Sequence, residues 1–225
     1  MKHLSIDCND IEEKKNFNIQ NIMEWIFCII IAVALALIFR YFIGTPTIVK
    51  MTSMYPTLKE GDRLFLNRTI RISNKLPNRG DIITFEAPSK KTYTYNEIDQ
   101  SNPIAKYENQ PTTFLSKFVY HVLEIGKDSY IKRVIALPGE HVEIKEGNVY
   151  INEKILEENY IKNSINTEVN VGFDNFIVPD NCIFAMGDNR SGSQDCRNFG
   201  CIPIDKIEGK VLFRVWPFNK LGKIK

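Results

Sequence analysis

The stretch TSMYPTLKEGD, residues 52 to 62, places Ser53 between a threonine and a methionine ahead of a proline and a Gly-Asp turn. A serine hydroxyl fills turns by hydrogen bonding, and it becomes a nucleophile only when a neighbouring base takes its proton. Histidine is the usual base, but His3 precedes a long apolar run and neither His121 nor His141 has a triad context. A lysine is the alternative. At its reference pKa of ~10.4 an amine is neutral in only about one molecule in 2,500 at pH 7, so a lysine base must be desolvated. Lys132, in SYIKRVIALPG, lies in a β-type run with Ile131, Val134, Ile135, Ala136 and Leu137 around it. Strand alternation sends Arg133 to the opposite face. The competing assignment puts Lys132 on the solvent side of an amphipathic strand.

A third stretch, GDNRSGSQDCRNFG, Gly187 to Gly200, follows the apolar run CIFAM. Asp188, Arg190, Asp195 and Arg197 are matched in sign and suit a fixed hydrogen-bond network, and Ser193 is placed to hold a neutral amine. A solvated charged turn would have the same composition.

These three stretches need a scaffold. The chain has 225 residues, 44% of them hydrophobic, enough for one sizeable domain with a smaller companion. Short β-type runs follow one another: RLFLN, DIITFEA, YIKRVIAL, HVEI, VYIN, FIVP, CIFAM and KVLFRVW, separated by turn signals such as PNRGD and LPGE. HVEIKEGNVYINEKIL reads as a hairpin turning at KEGN. The fold class is therefore mostly β. Residues 88 to 113 are polar and long for a loop, and read as an insertion. Residues 140 to 180 read as a small inserted β subdomain, which divides the β-rich part into 44–139 and 181–225.

WIFCIIIAVALALIFRYFI, Trp25 to Ile43, carries one charge, Arg40, in nineteen residues and can span a bilayer. Ala34-Leu35-Ala36 sits inside this run, whereas a cleavable signal would have its small residues after it, so a retained transmembrane helix is expected. Arg40 can snorkel to the interface, with Trp25 and Tyr41 in the headgroup belts. Residues 1 to 24 read as a loosely ordered tail. Lys2, Lys14 and Lys15 against Arg40 and Lys50 bias that tail to the cytoplasm, leaving the large domain outside. With 29 basic and 27 acidic residues there is no basic stripe, which excludes a nucleic-acid partner. No Cys/His spacing suits a metal. Cys196 and Cys201 are near enough in sequence to bridge, and free thiols are the alternative.

SMYPTL, GDRLFLNR, YIKRVIALPGE and GDNRSGSQDCRNFG, in that order after one N-terminal span, resemble the motifs of type I signal peptidases, the membrane-bound serine proteases that remove signal peptides from exported proteins. The resemblance covers about residues 25 to 68, 76 to 88, 129 to 140 and 183 to 216. It implies a β-rich catalytic core with a small β insertion, Ser53 as nucleophile and Lys132 as general base. Ser193 would orient the Lys132 amine, and Asp188, Asp195, Arg197 and Arg133 would brace the site. No cofactor is implied. The implied partners are signal peptides of exported preproteins and the lipid bilayer, with the chain a monomer in the plasma membrane, its N-terminus cytoplasmic.

An extended peptide would add as a strand beside TIVKM and SYIK. Val49, Met54, Leu58, Tyr130 and Ile131 are the expected pocket next to Ser53, and the Ser53 N–H the expected oxyanion donor. Three positions depart from the family pattern: Met51 replaces serine or glycine two residues before the nucleophile, Cys196 a serine, and Gly192 an asparagine. Met51 leaves the second oxyanion donor open. A Ser-Lys protease dedicated to one export substrate and a non-catalytic homologue that binds export signals are the rival readings. Self-cleaving repressors share the dyad but carry a DNA-binding domain where this chain has its span.

Overall fold

The computed structural model describes residues 8–73, 75–108, 110–161, 166–169 and 171–224. It opens with helix α1, Cys8–Phe42. No glycine or proline interrupts those residues, and Gly44 and Pro46, within four residues of Phe42, favour the stop. The expected loose tail is thus helical from Cys8, and residues 1–7 lie outside the described part. Ile19–Phe42 is long and apolar enough to cross a membrane, a longer span than the 25–43 read from the sequence. Its side chains are exposed around the whole circumference, Trp25 and Phe27 among them, as on a helix that meets hydrocarbon instead of a protein core.

Eleven strands follow: β1 Gly44–Ile48, β2 Arg63–Asn67, β3 Ile82–Glu86, β4 Ser129–Ala136, β5 His141–Lys145, β6 Asn148–Ile151, β7 Lys154–Ile155, β8 Asn175–Ile177, β9 Cys182–Met186, β10 Ile202–Pro203 and β11 Ile207–Trp216. A seven-stranded antiparallel sheet runs in the order β1-β2-β11-β3-β4-β9-β10, and a four-stranded one in the order β7-β6-β5-β8. The β5–β6 hairpin turns at Glu146 and Gly147, with φ of 50° and 75°. Two successive positive-φ residues give the turn whose twist matches that of the flanking strands.

One apolar core joins the two sheets. Phe85 of β3, Val134 and Ile135 of β4, Val142 of β5, Phe176 of β8 and Phe184 of β9 are buried together, with the Phe176 and Phe184 rings 5.2 Å apart. Residues 88 to 113 are fastened over this core: the Ala105 N–H donates to the Cys201 carbonyl at 2.9 Å, and the Tyr93 ring lies 5.6 Å from Phe173. β4 is central, covered on both faces and paired with β3 and β9, although its first four residues pair with β3 alone. That bare edge faces the site.

Candidate active site

Ser53 sits in the loop between β1 and β2. The Val49 N–H donates to the Asp62 carbonyl and the Gly61 N–H to the Val49 carbonyl, both at 2.9 Å, pinching the ends of the loop. Met54 and Leu58 anchor it from within by full burial. From the far side, the Asn189 N–H donates to the Ser53 carbonyl at 3.0 Å. Gly187 lets the backbone come this close, since a Cβ there would stand 2.4 Å from the Ser53 carbonyl oxygen and 2.2 Å from Ser193 Oγ. Ser53 is 5% exposed, and its N–H makes no hydrogen bond among the described residues.

Lys132 projects from β4 opposite Ile83 of β3 and is 3% exposed. Its Nζ lies 2.6 Å from Ser53 Oγ and 5.4 Å from the centre of the Tyr130 ring. Burial brings the amine down to about 8, against the opposing pull of the Asp195 carboxylate. Loss of hydration disfavours the ammonium because a charge in low dielectric has little to replace its water. The solvent-face alternative for Lys132 therefore fails.

The charged loop closes around this pair. Arg133, on the other face of β4, grips Asp188 with two bonds, Nε to Oδ1 at 2.9 Å and Nη2 to Oδ2 at 2.7 Å, and Nη1 donates to the Gly80 carbonyl. Thr57 Oγ1 donates to Asp188 Oδ2 at 2.5 Å, so Asp188 links β4 to the Ser53 loop. Arg197 donates to both oxygens of Asp195, Nε to Oδ1 and Nη2 to Oδ2, each at 2.9 Å. The Gly187 N–H adds a third bond to Asp195 at 2.9 Å. Burial alone would raise the Asp195 pKa, yet Arg197 and the Gly187 N–H hold it below the usual carboxylate value. Arg190 pairs with Glu158 and donates to Thr167 Oγ1 at 2.6 Å.

Ser193 lies against Gly187, and its buried Oγ has no hydrogen-bond partner among the described residues. No bond joins it to Lys132. Cys196 and Cys201 are buried free thiols, which settles the open question of a bridge, and burial raises both pKa values. Cys196 Sγ accepts from the Ala185 N–H at 3.2 Å.

A cleft of about 300 Å³ opens on the pair, lined by Lys50, Met51, Thr52, Ser53, Glu60, Tyr130, Lys132, Gly192 and Gln194. Of the five residues expected to form the pocket, only Tyr130 lines this cleft. Val49, Met54 and Leu58 pack with Leu64, Leu66, Ile82 and Val211, and Ile131 rests against the same group. Met51 is 58% exposed at the rim. β1 ends at Ile48, so only the first two residues of TIVKM are strand. Thr57 and Glu158 also belong to the site, although the sequence does not single them out. A threonine four residues after the serine was the available hint for the first, and nothing local marks the second.

A family model described as signal peptidase, peptidase S26, matches residues 22–216. The signal peptidase I of Bacillus licheniformis is 33% identical over 219 residues, 94% of this chain and 98% of that protein. Signal peptidase I S of Bacillus subtilis (strain 168) is 34% identical over 212 residues, 91% of this chain and 94% of that one. A signal peptidase I crystal structure from Enterococcus faecalis V583 aligns with 60% of this chain and 97% of its own, at 25% identity and a TM-score of 0.38, too distant a likeness to carry an argument.

Proposed function

We propose, from the premise that the chain belongs to the signal peptidase family, peptidase S26, that Ser53 and Lys132 are the catalytic pair of this membrane-anchored serine endopeptidase. Enzymes of this kind remove the N-terminal signal peptides of exported proteins, and so does this one. The observation that carries the assignment is the buried 2.6 Å approach of Lys132 Nζ to Ser53 Oγ.

The neutral Lys132 amine takes the hydroxyl proton as Ser53 Oγ adds to the scissile carbonyl. The N–H of Ser53 donates to the oxyanion of the tetrahedral intermediate. The ammonium then gives its proton to the departing amine, leaving an acyl-enzyme, and the amine so regenerated activates the water that releases it. Arg133, Asp188, Asp195 and Arg197 brace the Ser53 loop against the strand that carries Lys132. Ser193, buried beside Gly187, is the residue assigned to orient the Lys132 amine. The signal peptide docks extended between residues 50 to 53 and the bare edge of 129 to 132, where main-chain bonds give affinity. Residues 44–139 and 181–225 form the catalytic core and 140–180 its insertion. The anchor lies in the plasma membrane with its N-terminus cytoplasmic, which puts the cleft on the outer face, where translocated signals emerge.

The test incubates the full chain, Ser53→Ala and Lys132→Ala in detergent with a precursor bearing an Ala-x-Ala signal, reading the cut site by mass spectrometry. Cleavage after the final alanine by the unaltered chain alone is expected. Cleavage by a folded Lys132→Ala variant at the unaltered rate would remove Lys132 from the mechanism.

A further inference from the structure

The helix Phe114–Leu123 turns an apolar stripe away from the protein. Phe114, Leu115 and Phe118 are 87%, 70% and 38% exposed, and Ile125 just past its end is 63% exposed. Offsets of three and four residues put the first three on one helical face. On the inward side the Tyr120 hydroxyl donates to Glu86 Oε1 at 3.1 Å, and just past the helix Lys127 lies 2.7 Å from Glu208 and 3.6 Å from Glu86, which ties the segment to the domain through polar groups. A helix on a soluble domain does the reverse, burying its apolar face and hydrating its polar one. Contiguous outward apolar side chains mark a contact surface.

The neighbouring residues indicate what covers it. Glu124 ends this helix with a φ of 58°, and its carboxylate receives Arg40, from the last turn of α1, at 2.9 Å. Arg68 and Arg71 reach the same carboxylate at 2.6 and 3.6 Å, and the Arg71 guanidinium lies 5.2 Å from the centre of the Tyr41 ring. The end of the apolar span is thereby tied to the end of the outward-facing helix. Arg40 marks the level at which α1 leaves hydrocarbon, and Ile125 adjoins the residue that holds it. We propose that Phe114 to Ile125 is a second membrane contact, lying along the headgroup–acyl boundary of the bilayer that α1 crosses, with Phe114, Leu115, Phe118 and Ile125 on the acyl side. The proposal rests on reading α1 as the membrane anchor. Two attachments joined through Glu124 fix the tilt of the catalytic domain, which one flexible tether would leave free.

The full chain carries the photo-crosslinker p-benzoylphenylalanine in place of Phe114, Leu115 or Phe118 and is reconstituted in phosphatidylcholine–phosphatidylglycerol vesicles. Irradiation is followed by intact-mass measurement. Position 25 in the span reports on the anchor, and position 177, the exposed Ile177 of β8, serves as the distant reference. Lipid adducts at 25 and at two or more of 114, 115 and 118, without any at 177, are expected. Adducts at 25 but at none of the three overturn the proposal and leave the anchor standing. A crosslink from 114 or 118 to a second copy of the chain overturns it in favour of a dimer contact. No adduct at any position, 25 included, removes the anchor reading and this proposal with it.

Discussion

The pH dependence of cleavage follows from where Lys132 titrates. With the amine at about 8, the neutral, base-competent fraction is about 1% at pH 6, about 10% at pH 7, half at pH 8 and nearly complete at pH 10. kcat/KM should then rise about 50-fold from pH 6 to 8 but only about twofold from pH 8 to 10. A lysine left at its ordinary 10.5 would climb about 75-fold over that upper interval, so the upper interval discriminates. The assay uses a fluorogenic peptide without ionisable side chains near the scissile bond, in detergent at constant ionic strength, with near-ultraviolet circular dichroism confirming the fold at each pH. A profile flat from pH 6 to 9 would refute a lysine base. One still rising tenfold per unit above pH 9 would refute the claim that burial has tuned it.

The same shift has a cost in stability. Because the folded pKa lies below the unfolded one, the penalty is full below pH 8 and fades as pH rises from 8 to 10.5. Lys132→Met should raise stability by about 2 kcal/mol at pH 6.5, after the lost bond to Ser53 is set against it, and lower it by about 1 kcal/mol at pH 11, where only the lost bond remains; chemical unfolding with no gain at pH 6.5 would count against a desolvated ammonium. Asp188→Ala strands the buried Arg133 guanidinium and should cost about 3–5 kcal/mol in the same measurement, so a loss below about 1 kcal/mol would show the pair is not coupled. Gly187→Ala drives a methyl group against the Ser53 carbonyl and should lower kcat about 100-fold in a folded protein, more than Ser193→Ala does; activity within a few-fold of the unaltered chain would deny that Gly187 sets the position of the nucleophile. Met51→Ser should leave kcat equal or higher if the second oxyanion donor is missing, whereas a large loss would show that the methionine is needed at the rim.

What the sequence made legible was what chemistry restricts. Few residue types can activate a serine, and the histidines lacked a triad context, but Lys132 read equally as a solvent-facing strand lysine; only the resemblance to type I signal peptidases singled out Ser53 and Lys132, 79 positions apart, whose side chains meet at 2.6 Å. The strands were legible for a similar reason: alternation and turn residues are local, and the Glu146-Gly147 turn sets the register of its hairpin by itself. The pocket was not. Val49, Met54 and Leu58 are apolar and near Ser53 in sequence, but apolar side chains in such a loop can face substrate or the interior. The pinching bonds at Val49 and Gly61 turn these inward. Thr57 and Glu158 gain meaning only from partners 131 and 32 positions away, a register no single segment encodes.

The charged loop poses a physical problem that its geometry resolves. A neutral lysine needs a dry site, yet Asp195 is buried close enough that its negative charge draws a proton back onto Lys132. Removing the carboxylate would not help the fold, because it organises the loop through the Gly187 N–H and Arg197. Arg197 reconciles the two demands. Its guanidinium occupies both carboxylate oxygens and opposes the Asp195 field, itself acting to lower the Lys132 pKa. Buried pairs of this kind are poor sources of net stability, since desolvation offsets their attraction. Their use here is positional and electrostatic: a rigid loop beside Ser53, with little net charge presented to Lys132. Cys196 fits the same logic, because burial keeps its thiol protonated and it fills the loop's interior without adding a charge of its own.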